Sequence, residues 1–387
     1  MKKVKFLHCA DIHLDTPFTS LSGGKGRASI RRQDLKDVFG DIIYRVKSEN
    51  VELLLISGDL YEHNYVRKST INHINDLFRE IPDTKVFIVP GNHDPFIINS
   101  YYYNFKWSEN VFILTSENPY VVLDDMGVCI YGVGFRNFYE EKSLTYNITS
   151  IDKTYINILL VHGTVDVNIK QNMYNPMDSK NLSGMGMDYI ALGHFHNRID
   201  DIGGYGVIYN PGSPEALGFD ETGNHGAFIG TLSKDYSGNR KLDIEFIKLG
   251  KRFYKKIEID VSGCCTNEQI ASLIEDSLVK FGDSATDAKS GLFSITLTGY
   301  TDKDFKIDSS FIQECLYDKT FFIKVCDETD INYDFGELMK EAGLRGLFTR
   351  KIYSLIEKTE DAYEKRLLMK ALYYGLEALE TGKVEIN

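Results

Sequence analysis

Carboxylate, amide and imidazole side chains gather in five short islands in the first half of the chain: Asp11-Ile12-His13, Gly58-Asp59, Gly91-Asn92-His93-Asp94, His162-Gly163 and Gly193-His194-Phe195-His196. Mixed nitrogen and oxygen donors suit manganese, iron or zinc better than calcium. Two such cations about 3.5–4 Å apart can clamp the attacking and leaving oxygens of a phosphoryl transfer. The obstacle is their repulsion, roughly 18 kcal/mol at an effective dielectric of about 20, so an anion must lie between them. Asp59, alone after Gly58, is the expected bridge. Asp11 and His13 stand two apart, as a turn after a strand needs if both are to reach one ion, and His194 and His196 repeat the spacing. With Asn92 and the imidazoles, including His162, supplying neutral ligation, the centre keeps a small positive charge that suits a phosphodiester anion.

Each island follows a run of apolar and β-branched residues: Val4 to Leu7, Val51 to Ile56, Val86 to Val89, Ile156 to Val161 and Tyr189 to Leu192. Such runs are expected to be buried strands, which makes the islands strand-end loops. Loops at one edge of an α/β sheet converge, so residues distant in sequence can share a site. Between the strands, Ile30 to Ser48 and Ser69 to Arg79 carry apolar residues at helical spacing, the first after a Gly-rich loop at Gly23, Gly24 and Gly26. Shorter strands follow in 121–134 and 205–249. The expected fold class is α/β: a two-sheet sandwich flanked by helices over residues 1–250, a small α/β cap over 251–327 and a C-terminal helical hairpin over 328–387. In the cap, strands at 253–261, 292–297 and 321–325 alternate with helices running from Asn267 to about Phe281 and from Ser309 to Leu316. The acidic stretch 327–334 reads as a linker. Beyond it, Leu344, Leu347, Phe348, Ile352, Leu355 and Ile356 are expected to share one helix face, with Thr359 capping the second helix.

The formal charge is −12, with 25 basic and 31 acidic residues up to Gly250 and 19 and 25 after it. No basic domain hides in the average, so autonomous tight grip on nucleic acid is not expected. Six cysteines without CxxC spacing argue against a zinc ribbon or disulfide framework. The apolar run after Met1-Lys2-Lys3 is broken by His8 and Asp11, and no segment approaches a membrane span; a cytoplasmic protein with no membrane association is the expectation.

The ordered set DxH, GD, GNHD, HG and GHxH resembles the calcineurin-like metallophosphoesterase superfamily. Asn210-Pro211-Gly212-Ser213-Pro214-Glu215, with Gly218-Phe219-Asp220-Glu221, is similar to its SbcD/YhaO-type exonuclease branch. The motifs cover about the first 250 residues. The resemblance implies that Asp11, His13, Asp59 and His196 hold one metal, and Asp59, Asn92, His162 and His194 the other, with manganese favoured and iron or zinc as alternatives. It implies that His93 touches the scissile phosphate, stabilising charge or protonating the leaving oxygen. It further implies a DNA exonuclease or endonuclease subunit in repair or end processing. The implied partner is an SMC-like ATPase resembling SbcC or YhaN, docked on the C-terminal helices, and pairing into a homodimer is implied through the phosphoesterase domain. The competing expectation is a phosphatase or phosphodiesterase acting on small nucleotides or phosphoproteins. Three residues after the bridging aspartate, where relatives often carry Asp or His, stands Glu62, with His63 next to it. Glu62 is expected to hydrogen-bond His93 and favour its imidazolium, the form a general acid needs, with His63 the alternative for that role. The aromatic run Tyr101 to Trp107 divides between core packing and base stacking.

Overall fold

The computed structural model describes residues 1–21, 26–148, 151–167, 174–279 and 288–382, which form two compact units, Met1–Phe253 and Tyr254–Asn387. Gly23 and Gly24 of the Gly-rich loop, and Phe281 at the end of the first cap helix, lie outside the described residues.

In the first unit, β1 (Lys2–Cys9), β2 (Leu53–Ser57), β3 (Lys85–Val89) and β4 (Val111–Ile113) run parallel, separated in sequence by α1 (Arg27–Ser48), α2 (Lys68–Arg79) and the short α3 (Tyr101–Asn104). A second sheet has the order β5-β6-β7-β8-β9, from β5 (Tyr120–Leu123), β6 (Val128–Gly132), β7 (Ile156–His162), β8 (Tyr189–Gly193) and β9 (Ile208–Tyr209), with α4 (Ser179–Gly184) before β8. The antiparallel pair β10 (Gly226–Lys234) and β11 (Arg240–Lys248) completes the first sheet on the far side of β1, in the order β11-β10-β1-β2-β3-β4. Side chains alternate across each strand. Val4, Phe6, Leu53, Leu55, Phe87 and Val89 therefore meet Val128, Ile130, Ile158, Leu160 and Ala191 in one core between the sheets. Their sequence neighbours Leu7, Leu54, Ile56 and Ile88 are equally buried on the other face. Burial on both faces is why the strands read as continuous apolar runs. This is the expected sandwich flanked by helices.

The register places the islands. Cys9 pairs with Ile56 and Ser57 with Val89, so β1, β2 and β3 end level, while His162 pairs with Gly193 at the same stage of the second sheet.

Arg31 and His8 are among the polar groups buried outside the islands. Arg31, fully buried on α1, pairs with Glu215 and Asp34 and donates to the Ala216 carbonyl, while Asp34 also takes Arg252. The Pro-Gly-Ser-Pro-Glu segment is thereby tied to α1. Removing one partner strands a buried charge, so Arg31→Ala should cost about 3–5 kcal/mol, read from denaturant unfolding. His8 lies inside β1 with Nδ1 2.9 Å from the Tyr189 hydroxyl, and burial pushes its pKa down to about 3. The unfolded chain takes up this proton near pH 6.5 and the folded chain does not until about 3. Stability is therefore full above pH 6.5 and is lost as pH falls between those values, at up to about 1.4 kcal/mol per unit. His8→Phe should flatten that slope in chemical unfolding at pH 4 to 6.

The second unit holds a sheet ordered β12-β13-β15, from β12 (Phe253–Asp260), β13 (Gly291–Thr298) and β15 (Phe322–Asp327), with β14 (Tyr300–Thr301) between the last two in sequence. It is accompanied by α5 (Asn267–Val279) and α6 (Ser309–Cys315). The acidic stretch 327–334 is no open linker, because β16 (Asp330–Ile331) pairs with β14. After α7 (Phe335–Leu338) come α8 (Leu344–Lys358) and α9 (Ala362–Thr381), the expected hairpin. Two details differ from the expectation. Phe348, Ile352 and Ile356 pack on Leu372 and Leu376, whereas Leu344, Leu347 and Leu355 are exposed, so the apolar residues of α8 divide between two faces. Asp361, not Thr359, caps α9, its Oδ1 accepting from the amides of Tyr363 and Glu364. No helix among the described residues is long and apolar enough to cross a membrane.

Candidate metal centre

All seven expected donors converge at the shared edge of the two sheets. His13 Nε2 lies 3.1 Å from His196 Nε2 and 3.6 Å from Asp59 Oδ2. On the other side of Asp59, the same Oδ2 is 3.3 Å from His162 Nε2. His162 Nε2 is 2.9 Å from Asn92 Oδ1, which stands 3.2 Å from His194 Nδ1. Asp11 Oδ1 is 3.9 Å from His196 Nε2, and both Asp11 oxygens accept from the His194 amide. Among the described residues, three overlapping groups could each hold a metal ion: Asp11 with His13 and His196, Asp11 with Asp59 and His162, and His13 with Glu62 and His93.

The donor set passes a test of fit. Donors bound about 2.0–2.2 Å from one ion stand about 3.0–3.6 Å apart, and four of these separations lie in that range, with His162–Asn92 just under it at 2.9 Å and Asp11–His196 just over it at 3.9 Å. The ring orientations agree. Nδ1 of His13 faces Glu62 at 2.8 Å, Nδ1 of His162 faces the Ser57 carbonyl at 2.9 Å and Nδ1 of His196 faces Glu221 at 2.7 Å. With Nδ1 engaged, each ring offers Nε2 to the centre, the outer hydrogen bonding that metal-binding histidines use. Burial works against the imidazolium forms of His162 and His196. Asp59 and Asp11 at the first, and Glu221 and Asp11 at the second, outweigh it and lift both pKa values to about 9. These two positions thus favour positive charge, whereas burial and the neighbouring His162 hold the His194 pKa down to about 3.

The backbone is bent to achieve this. Asp11, His13, Asp15, Asp59 and His194 all have positive φ, between 50° and 102°, a region that costs a non-glycine residue about 1–3 kcal/mol. Gly58, at φ 88°, is needed for space as well: a Cβ there would stand 2.3 Å from His162 Nδ1. At Gly91 a Cβ would meet Asp59 Oδ1 at 2.2 Å. The glycines of the GD and GNHD islands are the room their neighbours occupy.

His93 does not join the seven. Its ring is 44% exposed, and its amide donates to Asp59 Oδ1 at 2.8 Å. Glu62 Oε2 lies 2.9 Å from His93 Nδ1, while Oε1 is the atom facing His13. Burial opposes the charged ring of His93, but the Glu62 hydrogen bond and the Asp59 carboxylate raise its pKa to about 9. His63 is placed differently from the expectation that offered it as a substitute. Its amide donates to the His93 carbonyl, but its ring packs on Phe138 and its buried Nδ1 has no hydrogen-bond partner among the described residues.

Three supporting carboxylates escaped the reading of the sequence. Asp94 accepts from the amides of Asp59, Leu60 and Gly91 and from the Tyr102 hydroxyl, so it holds both its own turn and the bridge loop. Glu221 orients His196 and accepts from the Ser213 hydroxyl and the Leu217 amide. Asp15 binds the Arg67 amide and the Thr70 hydroxyl at the start of α2. For Asp15 the available signal was a carboxylate just beyond the first island, and for Asp94 its place within the third; the spacing gave none for Glu221. In the aromatic run, Tyr102 and Trp107 pack inward and Tyr103 is exposed.

Residues 4–198 match the family described as calcineurin-like phosphoesterase. Among curated proteins, the chain is 26% identical over 287 residues to a protein called uncharacterized metallophosphoesterase YhaO from Bacillus subtilis (strain 168), covering 71% of this chain and 67% of that one. It is 26% identical over 249 residues to the DNA double-strand break repair protein Mre11 of Saccharolobus solfataricus, covering 60% of this chain and 61% of the relative. The SbcD component of the nuclease SbcCD from Staphylococcus epidermidis is 26% identical over 226 residues, covering 50% of this chain and 57% of its own. The chain thus spans about three fifths of the length of the latter two.

Proposed function

This chain belongs to the calcineurin-like phosphoesterase family, and from that premise we propose that it is a phosphodiesterase with two divalent metals, acting on DNA as the nuclease subunit of a repair or end-processing assembly. The single observation that carries the chemistry is the position of Asp59 Oδ2, within 3.6 Å of His13 Nε2 and 3.3 Å of His162 Nε2. One carboxylate oxygen serves both donor groups. In this reading Asp11, His13, Asp59 and His196 hold one cation and Asp59, Asn92, His162 and His194 the other, with manganese the favoured ion. When bound, the pair supplies an activated water and draws charge from the phosphoryl oxygens.

The remaining work falls to the chain's own residues. His93 presents an exposed ring at the rim, and Glu62 steadies it through Nδ1. Its Nε2 is then the atom that protonates the departing oxygen of the cleaved diester. The Asp59 contact to the His93 amide fixes the ring's origin relative to the bridge.

DNA as the substrate draws support from the names of the archaeal and staphylococcal relatives. With a charge of −12 and no basic half, the chain needs help to grip a polyanion. We therefore assign residues 1–250 to catalysis and 251–327 to a cap. Residues 328–387 would dock on an SMC-like ATPase in the cytoplasm through the exposed Leu344, Leu347, Leu355 and Leu367. Homodimerisation through the phosphoesterase domain belongs to the same reading. The test is hydrolysis in manganese of single- and double-stranded DNA, cyclic nucleotides and a phosphoprotein, with and without a candidate ATPase. Preferential cleavage of DNA is the expected outcome. Turnover of nucleotides or phosphoprotein with no DNA cleavage under either condition would replace the proposal with the small-substrate reading.

A further inference from the structure

Glu62 touches two rings with different duties. Oε1 is 2.8 Å from His13 Nδ1 and Oε2 is 2.9 Å from His93 Nδ1, and the rings stand edge-on with centroids 4.7 Å apart at 84°. The carboxylate cannot drift, because its own backbone is pinned. The Glu62 amide donates to the Leu14 carbonyl, the next amide donates to the His93 carbonyl, and Leu14 bridges Tyr61. The side chain is largely buried, at 15% exposure.

We infer that Glu62 is a positioning residue that couples metal loading to the placement of His93. This rests on the proposed roles of His13 as a ligand and His93 as the leaving-group acid. The physical argument concerns orientation. A carboxylate held by one ring keeps a free torsion, whereas one held by two rings is fixed, and it fixes both of them. When His13 Nε2 engages a cation, its ring loses rotational freedom, and the constraint passes through Glu62 to the exposed ring of His93. Conversely, an anchored His93 returns part of that order to His13, so binding costs less side-chain entropy. Metal affinity and His93 placement are then reciprocal. The side chain that binds the metal and the one that serves the substrate become ordered together.

The experiment is a double-mutant cycle on the full chain, with Mn2+ binding measured by titration calorimetry rather than by turnover. Glu62→Ala should weaken the affinity about 10- to 100-fold, as loss of an outer hydrogen-bond partner does. His93→Ala should weaken it about three- to tenfold while Glu62 is present, and less than about twofold in the Glu62→Ala background. Glu62→Gln, which keeps the shape but offers a single acceptor oxygen, allows the cycle to be repeated without a packing defect. Equal effects of His93→Ala in native and altered backgrounds, or tighter Mn2+ binding on loss of His93, would overturn the coupling. Because no substrate is involved, that result would leave the DNA reading to its own assay.

Discussion

Asp59→Asn should lower the bound metal from two ions to one and reduce turnover by about a thousandfold or more, on the scale of several kcal/mol of charge stabilisation. The substitution isolates charge from shape. Asp59 is 1% exposed and sits at φ 52°, a left-handed conformation that Asn also tolerates, so the loop should survive. An amide oxygen can still accept from the His93 amide, as Oδ1 does at 2.8 Å. What disappears is the negative charge beside both His13 and His162. Two dications would then face a repulsion of roughly 18 kcal/mol, at a dielectric of about 20, without their shared anion. Metal analysis after gel filtration, paired with single-turnover hydrolysis, checks both halves. A variant that kept two ions and normal turnover would remove Asp59 from the centre.

Once its effect on metal affinity is saturated out, His93→Ala should act on the chemistry. At saturating Mn2+ the expected loss in kcat is about 10²- to 10⁴-fold, the range of a removed general acid, with KM nearly unchanged. The ring is partly exposed and its contacts are to the site residues Glu62 and His13 rather than the apolar core, so thermal unfolding should change little. A diester with a strongly acidic leaving group, such as a nitrophenyl ester, needs no proton and should lose much less. If the loss were the same for both classes of leaving group, His93 would be a substrate-binding residue and not the acid.

The islands were legible because two local rules coincide there: apolar runs that mark strands, and donor residues at their ends. Distance in sequence hid the rest. Glu221 lies 25 residues from His196, and nothing in the spacing links them; only the turn through Asn210 to Glu215, anchored on Arg31, closes the gap. The positive φ values of Asp11, His13, Asp59 and His194 were equally invisible, because side-chain identity reports preference and the sheet edge imposes strain. Glu62 was foreseen as a partner of His93 but not of His13, since a carboxylate's second oxygen finds its partner only in three dimensions. In the hairpin, helical periodicity identified apolar residues on α8 but could not say that Phe348 turns inward while Leu347 turns out. A helix with two apolar faces has no single hydrophobic side to read.

Whether one carboxylate is shared by two metal ions can be read from anomalous scattering of Mn2+-loaded crystals. Two peaks per chain are expected, with Asp59 Oδ2 within bonding distance of both, one flanked by His13 and His196 and the other by His162 and Asn92. A single peak, or two peaks with Asp59 bound to only one, would refute the shared bridge.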